Sequence, residues 1–190
     1  MNEPNNLVFR FFPKSATADA LRTAASVIRA SVPNAQLSVN FLTDLWPWRD
    51  QLEGLLSTVP EAIDTVGVDA YPETWGIGIH PFERVSALLQ TLPTSLPGLR
   101  AGQALGVMET GNSSNLAVIR NETSQAEYFR QLDELVGELK KFEFVGIYEL
   151  TDENSDARLD PEAHFGLLDS RLRRKPAFAT AKRFLAALNS

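Results

Sequence analysis

Residues 63–71, IDTVGVDAY, decide the fold class of this chain. The run is short and largely apolar, contains Val and Ile, and is bounded by turn residues, which is typical of a buried strand. Three further runs have the same character: residues 36–42 (QLSVNFL), 104–109 (ALGVME) and 144–150 (FVGIYEL). They are largely apolar rather than strictly alternating, as expected of parallel strands that are covered on both faces. The sequence therefore predicts four parallel strands.

Apolar residues recur at helical spacing before, between and after these runs. Ser124 is predicted to cap one helix, with Glu127 three residues later completing a capping box, and Pro176 is predicted to lie in the first turn of the last helix. The predicted apolar faces are Leu21, Ala24, Ala25 and Ile28; Trp48, Leu52, Leu55, Leu56 and Val59; Phe82, Val85, Leu88 and Leu89; Phe129, Leu132, Leu135, Val136 and Leu139; and Phe178, Ala181, Leu185 and Leu188. One helix followed by four strand–helix units predicts an α/β protein with a parallel sheet. An open doubly wound sheet and a closed barrel fit this order equally well.

Composition narrows the function classes. The chain has 190 residues and no cysteine, so it is predicted to be one domain without disulfides or cysteine-ligated metals. Its net charge of −6 and pI near 5.0 argue against a nucleic-acid partner. No run approaches the roughly 18 apolar residues of a membrane span. The two histidines lack a zinc pattern. Residues 152–156 resemble the start of a calcium loop, but Ala157 stands at its glycine position and Ala163 at its final glutamate position, so no metal and no cofactor are predicted. The compartment is not indicated.

Chemistry-bearing residues follow the predicted strands. In parallel α/β folds the functional residues lie at the C-terminal ends of the strands. Carboxylates there supply an acid, a base or a nucleophile, and aromatic rings can stack on a sugar. The alternative is that strand-end polar residues merely solvate the loops. The strand-end residues are Asn40 and Asp44; Asp69, Tyr71, Glu73 and Trp75; Glu109 and Asn112; and Tyr148, Glu149 and Asp152.

Asn2-Glu3-Pro4 resembles the Asn-Glu-Pro signature of the retaining glycoside hydrolases of clan A, which are built on (β/α)8 barrels. In that clan the signature follows the fourth strand, and its Glu is the acid/base. Residues 107–111 (VMETG) resemble the end of the seventh strand, where the second catalytic Glu stands. Residues 68–75 resemble the end of the sixth strand, and residues 147–152 that of the eighth.

The resemblance covers essentially the whole chain, because residues 165–169 and 174–178 resemble the clan's approach to its final helix. It implies an α/β fold that is the C-terminal half of a (β/α)8 TIM barrel, with strands 5 to 8, their flanking helices and the end of strand 4 at the N-terminus. The expected organisation is a single partial catalytic domain, residues 1–190, that lacks strands 1 to 3 and most of strand 4.

The resemblance also implies roles for individual residues. Glu3 would be the acid/base and Glu109 the nucleophile of a retaining hydrolysis of β-glycosidic bonds. Asn2 would bind the sugar 2-hydroxyl, and Tyr71 would hydrogen-bond Glu109, orient it and help to keep it charged.

Two further residues are candidates for substrate binding. Trp75 is predicted to be a sugar-stacking platform, with packing in a loop or the core as the alternative. Glu149 is expected either to bind sugar hydroxyls or to face a salt-bridge partner.

The expected partner is an oligo- or polysaccharide. A half-barrel would leave sheet edges open, so a separate N-terminal half-barrel or self-association is also expected. Glu3 beside the N-terminus would be poorly held, so these residues alone are not expected to be an efficient enzyme. The alternative function is a non-catalytic half-barrel remnant or carbohydrate-binding module. An unrelated open-sheet protein would make the Glu3/Glu109 pairing a coincidence and would leave the two carboxyl groups far apart.

Overall fold

The structure, a computed structural model, describes residues 1–6, 13–43, 48–72, 74, 82–96, 99–115, 120–153 and 159–190. Strands and helices alternate along the described chain. The strands are β1 (Ser38–Leu42), β2 (Thr65–Ala70), β3 (Ala104–Thr110) and β4 (Phe144–Ile147), and the helices are α1 (Lys14–Ser31), α2 (Trp48–Thr58), α3 (Phe82–Ser95), α4 (Glu122–Glu134), α5 (Val136–Leu139) and α6 (Pro176–Leu188). Short 3-10 turns lie at Pro60–Ala62 and Glu162–His164.

The four strands form one parallel sheet in the order β1-β2-β3-β4. Asn2 pairs in parallel with Asn40 of β1, so the N-terminal segment continues the sheet on the β1 side. The four predicted strands are therefore confirmed, each within a few residues at its ends. The arrangement is that of a partial (β/α)8 barrel.

The two faces of the sheet have different environments. Val39, Phe41, Val66, Val68 and Val107 pack with the helices in the main core, and each is fully buried. A smaller cluster on the other face contains Leu42, Tyr71 and Phe165, with Tyr148 against it. Because successive strand residues point to opposite faces, Asn40, Asp69 and Tyr71 share the face turned away from the helices.

Two details of the predicted helices are wrong. The residue that caps α4 is Asn121, whose side chain accepts hydrogen bonds from the backbone N–H groups of Thr123 and Ser124. Ser124 closes the capping box from the third helical position, because it accepts a hydrogen bond from the Asn121 backbone N–H. In α1, Ala24 and Ile28 are exposed and Ala18 is buried with Leu21 and Ala25, so the buried stripe is rotated relative to the prediction.

The N-terminal segment is held firmly against β1, contrary to the expectation for Glu3. The terminal amine of Met1 donates to the Ser38 carbonyl at 2.8 Å, and the Glu3 backbone N–H donates to the Asn40 carbonyl at 3.0 Å. The buried Asn5 side chain donates to the Leu42 carbonyl at 2.7 Å and accepts from the Leu42 N–H at 3.1 Å. These bonds fix the segment that carries Glu3.

None of the helices in the described residues is long and apolar enough to cross a bilayer.

Candidate active site

Three carboxylates converge at the C-terminal edge of the sheet. Glu3 lies beside the end of β1, Asp69 near the end of β2 and Glu109 near the end of β3. One oxygen from each carboxylate lies within 4.8 Å of the others. The structure therefore brings together the two glutamates that the sequence analysis paired, and it adds an aspartate to them.

An irregularity in the β2–β3 pairing positions Glu109. Val68 lies opposite Val107, but the register then shifts by one residue, so that Asp69 lies opposite Glu109. A regular register would place Asp69 opposite Met108. Bulges of this kind re-aim side chains and are frequent beside active sites.

Tyr71 holds Glu109 from the neighbouring strand. Its hydroxyl donates to Oε2 of Glu109 at 2.5 Å, as the resemblance implied. Tyr71 is itself almost fully buried, and its ring lies edge-on to Phe165 and Tyr148. Burial, followed by the hydrogen bond to Glu109, raises the pKa of Tyr71 far above its usual range, so the hydroxyl keeps its proton. The Tyr71 hydroxyl therefore remains a hydrogen-bond donor to Glu109.

The surroundings of Glu3 favour its protonated form. Partial burial is the main cause of its raised pKa, and the charge of Glu109 adds to the effect. The hydrogen bond from Asn6, at 2.6 Å, acts in the opposite direction. Glu3 also has a φ of +40°, an uncommon conformation for a residue with a side chain. Such backbone strain clusters at functional sites, where the surrounding structure maintains it.

Asp69 is the member of the group that the sequence analysis left without a role. Its side chain is fully buried, and burial is the main cause that raises its pKa to about 8, with the charge of Glu109 second. The raised pKa favours the neutral form of the Asp69 carboxyl group at pH 7. Its position two residues before Tyr71 was the available signal, since residues i and i+2 of a strand share a face.

Asn2 and Asn40 connect this group to the N-terminal segment. The Asn40 Nδ2 donates to Oδ1 of Asn2 at 2.5 Å and to Oδ2 of Asp69 at 2.6 Å. Asn2, the predicted ligand of the sugar 2-hydroxyl, is exposed beside this contact. The three polar side chains form a short hydrogen-bonded chain along the same edge.

Glu149 lies outside the three-carboxylate group. Its Oε1 is buried without a hydrogen-bond partner among the described residues, and no ion pair of the described residues includes Glu149. Burial first, and then the charges of Glu153 and Asp152, raise its pKa to about 7. A salt-bridge partner, one of the two alternatives for Glu149, is therefore not found among the described residues. Trp75, the predicted stacking platform, lies outside them.

Glu162 extends the site beyond the sequence prediction. The Tyr148 hydroxyl donates to Oε2 of Glu162 at 3.2 Å. Burial is the main cause of the raised pKa of Glu162, and the charge of Glu109 contributes, which places Glu162 within electrostatic reach of Glu109. Glu162 belongs to a short 3-10 turn, and no strand pattern points to it.

The same three carboxylates are the only group of side chains in the described parts of the chain that could share a metal ion. Their donors are all oxygens, which suit Mg²⁺ or Ca²⁺. Hydrogen bonds from Asn6, Asn40 and Tyr71 already engage one oxygen of each carboxylate.

Comparisons with known proteins establish the fold. No protein-family model matches the chain, and no curated protein matches it. Among solved structures, a β-1,3-glucanosyltransferase of glycoside hydrolase family 17 from Rhizomucor miehei is 16% identical, with a TM-score of 0.61 over 90% of this chain. A family 128 exo-β-1,3-glucanase from Cryptococcus neoformans is 16% identical, with a TM-score of 0.65 over 95% of this chain. A β-D-glucuronidase from Dictyoglomus thermophilum is 14% identical, with a TM-score of 0.58 over 88% of this chain.

The predicted resemblance to (β/α)8-barrel glycoside hydrolases is thus confirmed at the level of the fold. The chain spans only part of each of these neighbours: 59% of the Rhizomucor enzyme, 66% of the Cryptococcus enzyme and 29% of the glucuronidase. An active-site mutant of the Rhizomucor enzyme was solved in complex with laminaritriose.

Proposed function

We propose that this chain carries the catalytic centre of an O-glycosyl hydrolase that cleaves β-glycosidic bonds by a retaining double displacement. One observation carries the proposal. Carboxylate oxygens of Glu3 and Glu109 lie within 4.8 Å of each other at the C-terminal edge of a partial barrel. Retention needs two carboxyl groups roughly 5–5.5 Å apart, whereas inversion needs room for a water molecule between them.

In the first step Glu109 attacks the anomeric carbon of the bound sugar. The bond from this carbon to the leaving oxygen breaks, and its electron pair stays with that oxygen. Glu3 transfers its proton to the leaving oxygen, so a glycosyl ester of Glu109 and a free alcohol are formed. The raised pKa of Glu3 supports its role as the acid, because the group must hold a proton near neutral pH.

In the second step Glu3, now a carboxylate, accepts a proton from water while the water oxygen attacks the anomeric carbon. The ester bond to Glu109 breaks, and Glu109 leaves as a carboxylate. The Tyr71 hydroxyl stabilises the Glu109 carboxylate before attack and after release. Two inversions at one carbon leave the anomeric configuration unchanged.

The proposed substrate is a β-linked oligo- or polysaccharide. Two of the structural neighbours act on β-1,3-glucans, which makes laminari-oligosaccharides the first substrates to test. Asn2 is proposed to bind the sugar 2-hydroxyl, Trp75 to stack on a sugar ring and Glu149 to bind sugar hydroxyls. The unpartnered Oε1 of Glu149 supports its part, since it is an acceptor that a sugar hydroxyl can satisfy.

The working enzyme is proposed to contain further strand–helix units that complete the barrel, on this polypeptide or on a separate one. The greater length of the neighbours supports this proposal. Residues 1–3 and β4 are the outermost segments of the described sheet, so they are the edges to which such units would pair.

The test is hydrolysis of 4-nitrophenyl β-glycosides and laminari-oligosaccharides by the 190-residue chain, alone and together with the strand–helix units that complete its barrel. We expect turnover that Glu109→Gln abolishes and that Glu143→Gln, at an exposed position before β4, leaves unchanged. Proton NMR of the first-formed product should give the β anomer. An α anomer would exclude retention, and saturable sugar binding without turnover would favour a carbohydrate-binding module.

A further inference from the structure

The Asp69 carboxyl group has one oxygen engaged and one oxygen without a partner. Its Oδ2 accepts a hydrogen bond from Asn40 at 2.6 Å, while Oδ1 has no hydrogen-bond partner among the described residues. The side chain has no solvent exposure, so water does not supply the missing partner from the surface. A polar atom that is buried without a hydrogen bond lowers the stability of the fold, so its presence in a native structure needs an explanation.

The hydrogen bond between Asn40 and Asp69 determines how the side-chain amide of Asn2 is oriented. An amide nitrogen has two N–H groups, and Asn40 uses one for Asp69 and the other for Oδ1 of Asn2. The Asn2 oxygen is thereby occupied as an acceptor. The NH2 group of Asn2 is then the part of the side chain that is directed away from Asn40 and offered to a ligand.

We propose that Asp69 is a positioning residue for the sugar site: through Asn40 it holds the Asn2 amide so that the NH2 group donates to the 2-hydroxyl of the bound sugar. The inference deepens the proposed function and rests on it. Hydrogen bonds to this hydroxyl strengthen in the transition state, so correct positioning of Asn2 acts mainly on kcat. A buried aspartate on β2 thus controls recognition by a residue 67 positions earlier in the chain.

Substrates with and without the 2-hydroxyl test this role. We expect Asp69→Ala to lower kcat on a 4-nitrophenyl β-glycoside by roughly 100-fold, the effect of misplacing a catalytic contact by about 1 Å. On the 2-deoxy analogue, which cannot make the contact, Asp69→Ala should lower kcat much less. The ratio of kcat between the substrate with the 2-hydroxyl and the 2-deoxy analogue should therefore fall. Asp69→Asn should restore it, because an amide oxygen accepts from Asn40 as a neutral carboxyl group does.

Asp64→Asn is the matched control. Asp64 lies just before the start of β2, where it binds Arg29 and the Leu37 N–H at the opposite end of the sheet. This variant should slow both substrates equally or not at all. Equal losses on both substrates in Asp69→Ala would overturn the positioning role and leave Asp69 with a structural one.

A second measurement needs no activity. The side-chain amide signals of Asn2 and Asn40 in a ¹⁵N–¹H NMR spectrum should both move in Asp69→Ala and return in Asp69→Asn. If Asp69→Ala does not fold, Asn40→Ala should move the Asn2 signal by the same relay. An Asn2 signal that ignores both substitutions overturns the inference even in an active enzyme. Absence of hydrolysis in the completed barrel overturns the proposed function, while the NMR result still decides the relay.

Discussion

The hydroxyl of Tyr71 and the carboxylate of Glu109 meet at 2.5 Å, although 38 residues separate them in the chain. The contact joins Tyr71, the residue that follows β2, to β3 on the face of the sheet turned away from the helices. It depends on the one-residue register shift after Val68, which turns Glu109 toward its neighbour. The nucleophile assignment therefore rests on the sheet itself rather than on a loop.

Removal of the Tyr71 hydroxyl is expected to slow catalysis. A hydrogen bond to a charged group contributes about 1.5–3 kcal/mol, so Tyr71→Phe should lower kcat by roughly 10- to 100-fold. Steady-state kinetics on an aryl β-glycoside measure this. Tyr128→Phe is the control, because its buried hydroxyl bonds Thr110 on the helix side of the sheet. That variant should lose stability and keep kcat, and an equal kcat loss in both variants would contradict the specific role of Tyr71.

Asn5 is expected to determine both stability and activity. Its side chain makes two hydrogen bonds with the Leu42 backbone, so Asn5→Ala should lower the free energy of unfolding by about 1–3 kcal/mol. Glu3, two residues away, should lose its position, and a displacement of about 1 Å can cost roughly 100-fold in rate. Urea unfolding and kinetics check the two effects. Asn34→Ala, at an exposed position, should change neither, and full activity in Asn5→Ala would show that Glu3 is held by other contacts.

Asp69 predicts a pH-dependent stability. Its pKa is raised from 3.8 to about 8, so between these values the folded chain holds a proton that the unfolded chain has lost. The stabilisation from this group is complete below pH 3.8 and is lost as the pH rises toward 8. Asp69→Asn cannot ionise, so its stability relative to the wild type should increase from about pH 4 to pH 8 and then level off. Urea unfolding over this range measures the difference, and a constant difference would exclude a raised pKa.

The ion pair of Lys175 and Asp152 is expected to hold the segments that follow β4. The atoms Nζ and Oδ1 are 2.6 Å apart, and the side chains are only 3% and 9% exposed. Lys175→Met would leave a buried carboxylate without its cation and should cost about 3–5 kcal/mol of unfolding free energy. The double variant Lys175→Met/Asp152→Asn should recover most of this loss, since the introduced amide oxygen can still accept from the Gly166 N–H, as the Asp152 carboxylate does. If the double variant recovers no unfolding free energy, the loss in Lys175→Met comes from side-chain packing rather than from the unpaired charge.

The sequence predicted the architecture because the strand pattern is strong and local. All four runs became strands of one parallel sheet. Strand-end position pointed to Glu109 and the resemblance of Asn2-Glu3-Pro4 pointed to Glu3, and the structure brings the two to the same edge. The two-residue spacing of Asp69 and Tyr71 also contained the information that both face the same side. Asp69 was passed over because a role in the site requires knowledge of its neighbours on β1 and β3.

The sequence could not predict the features that depend on strand register or on which of two neighbouring residues caps a helix. The shift that sets Asp69 opposite Glu109 has no sequence signature, since Val107-Met108-Glu109 reads equally well as a regular strand. Both Asn121 and Ser124 are good capping residues, and only the backbone conformation of Asn121 decides between them. Glu162 was missed because it lies in a short 3-10 turn that no strand pattern marks, and only the fold brings it to the Tyr148 hydroxyl.

The most direct test of the central claim is covalent trapping of Glu109. The chain is incubated with a panel of activated 2-deoxy-2-fluoro-β-glycosides, which slow breakdown of a glycosyl-enzyme ester, and its intact mass is measured. We expect one sugar adduct, located by peptide mapping on Glu109, and no adduct in Glu109→Gln. Turnover of the parent β-glycosides without an adduct, or an adduct on a different carboxylate, would contradict the assignment of Glu109 as the nucleophile of a retaining glycoside hydrolase.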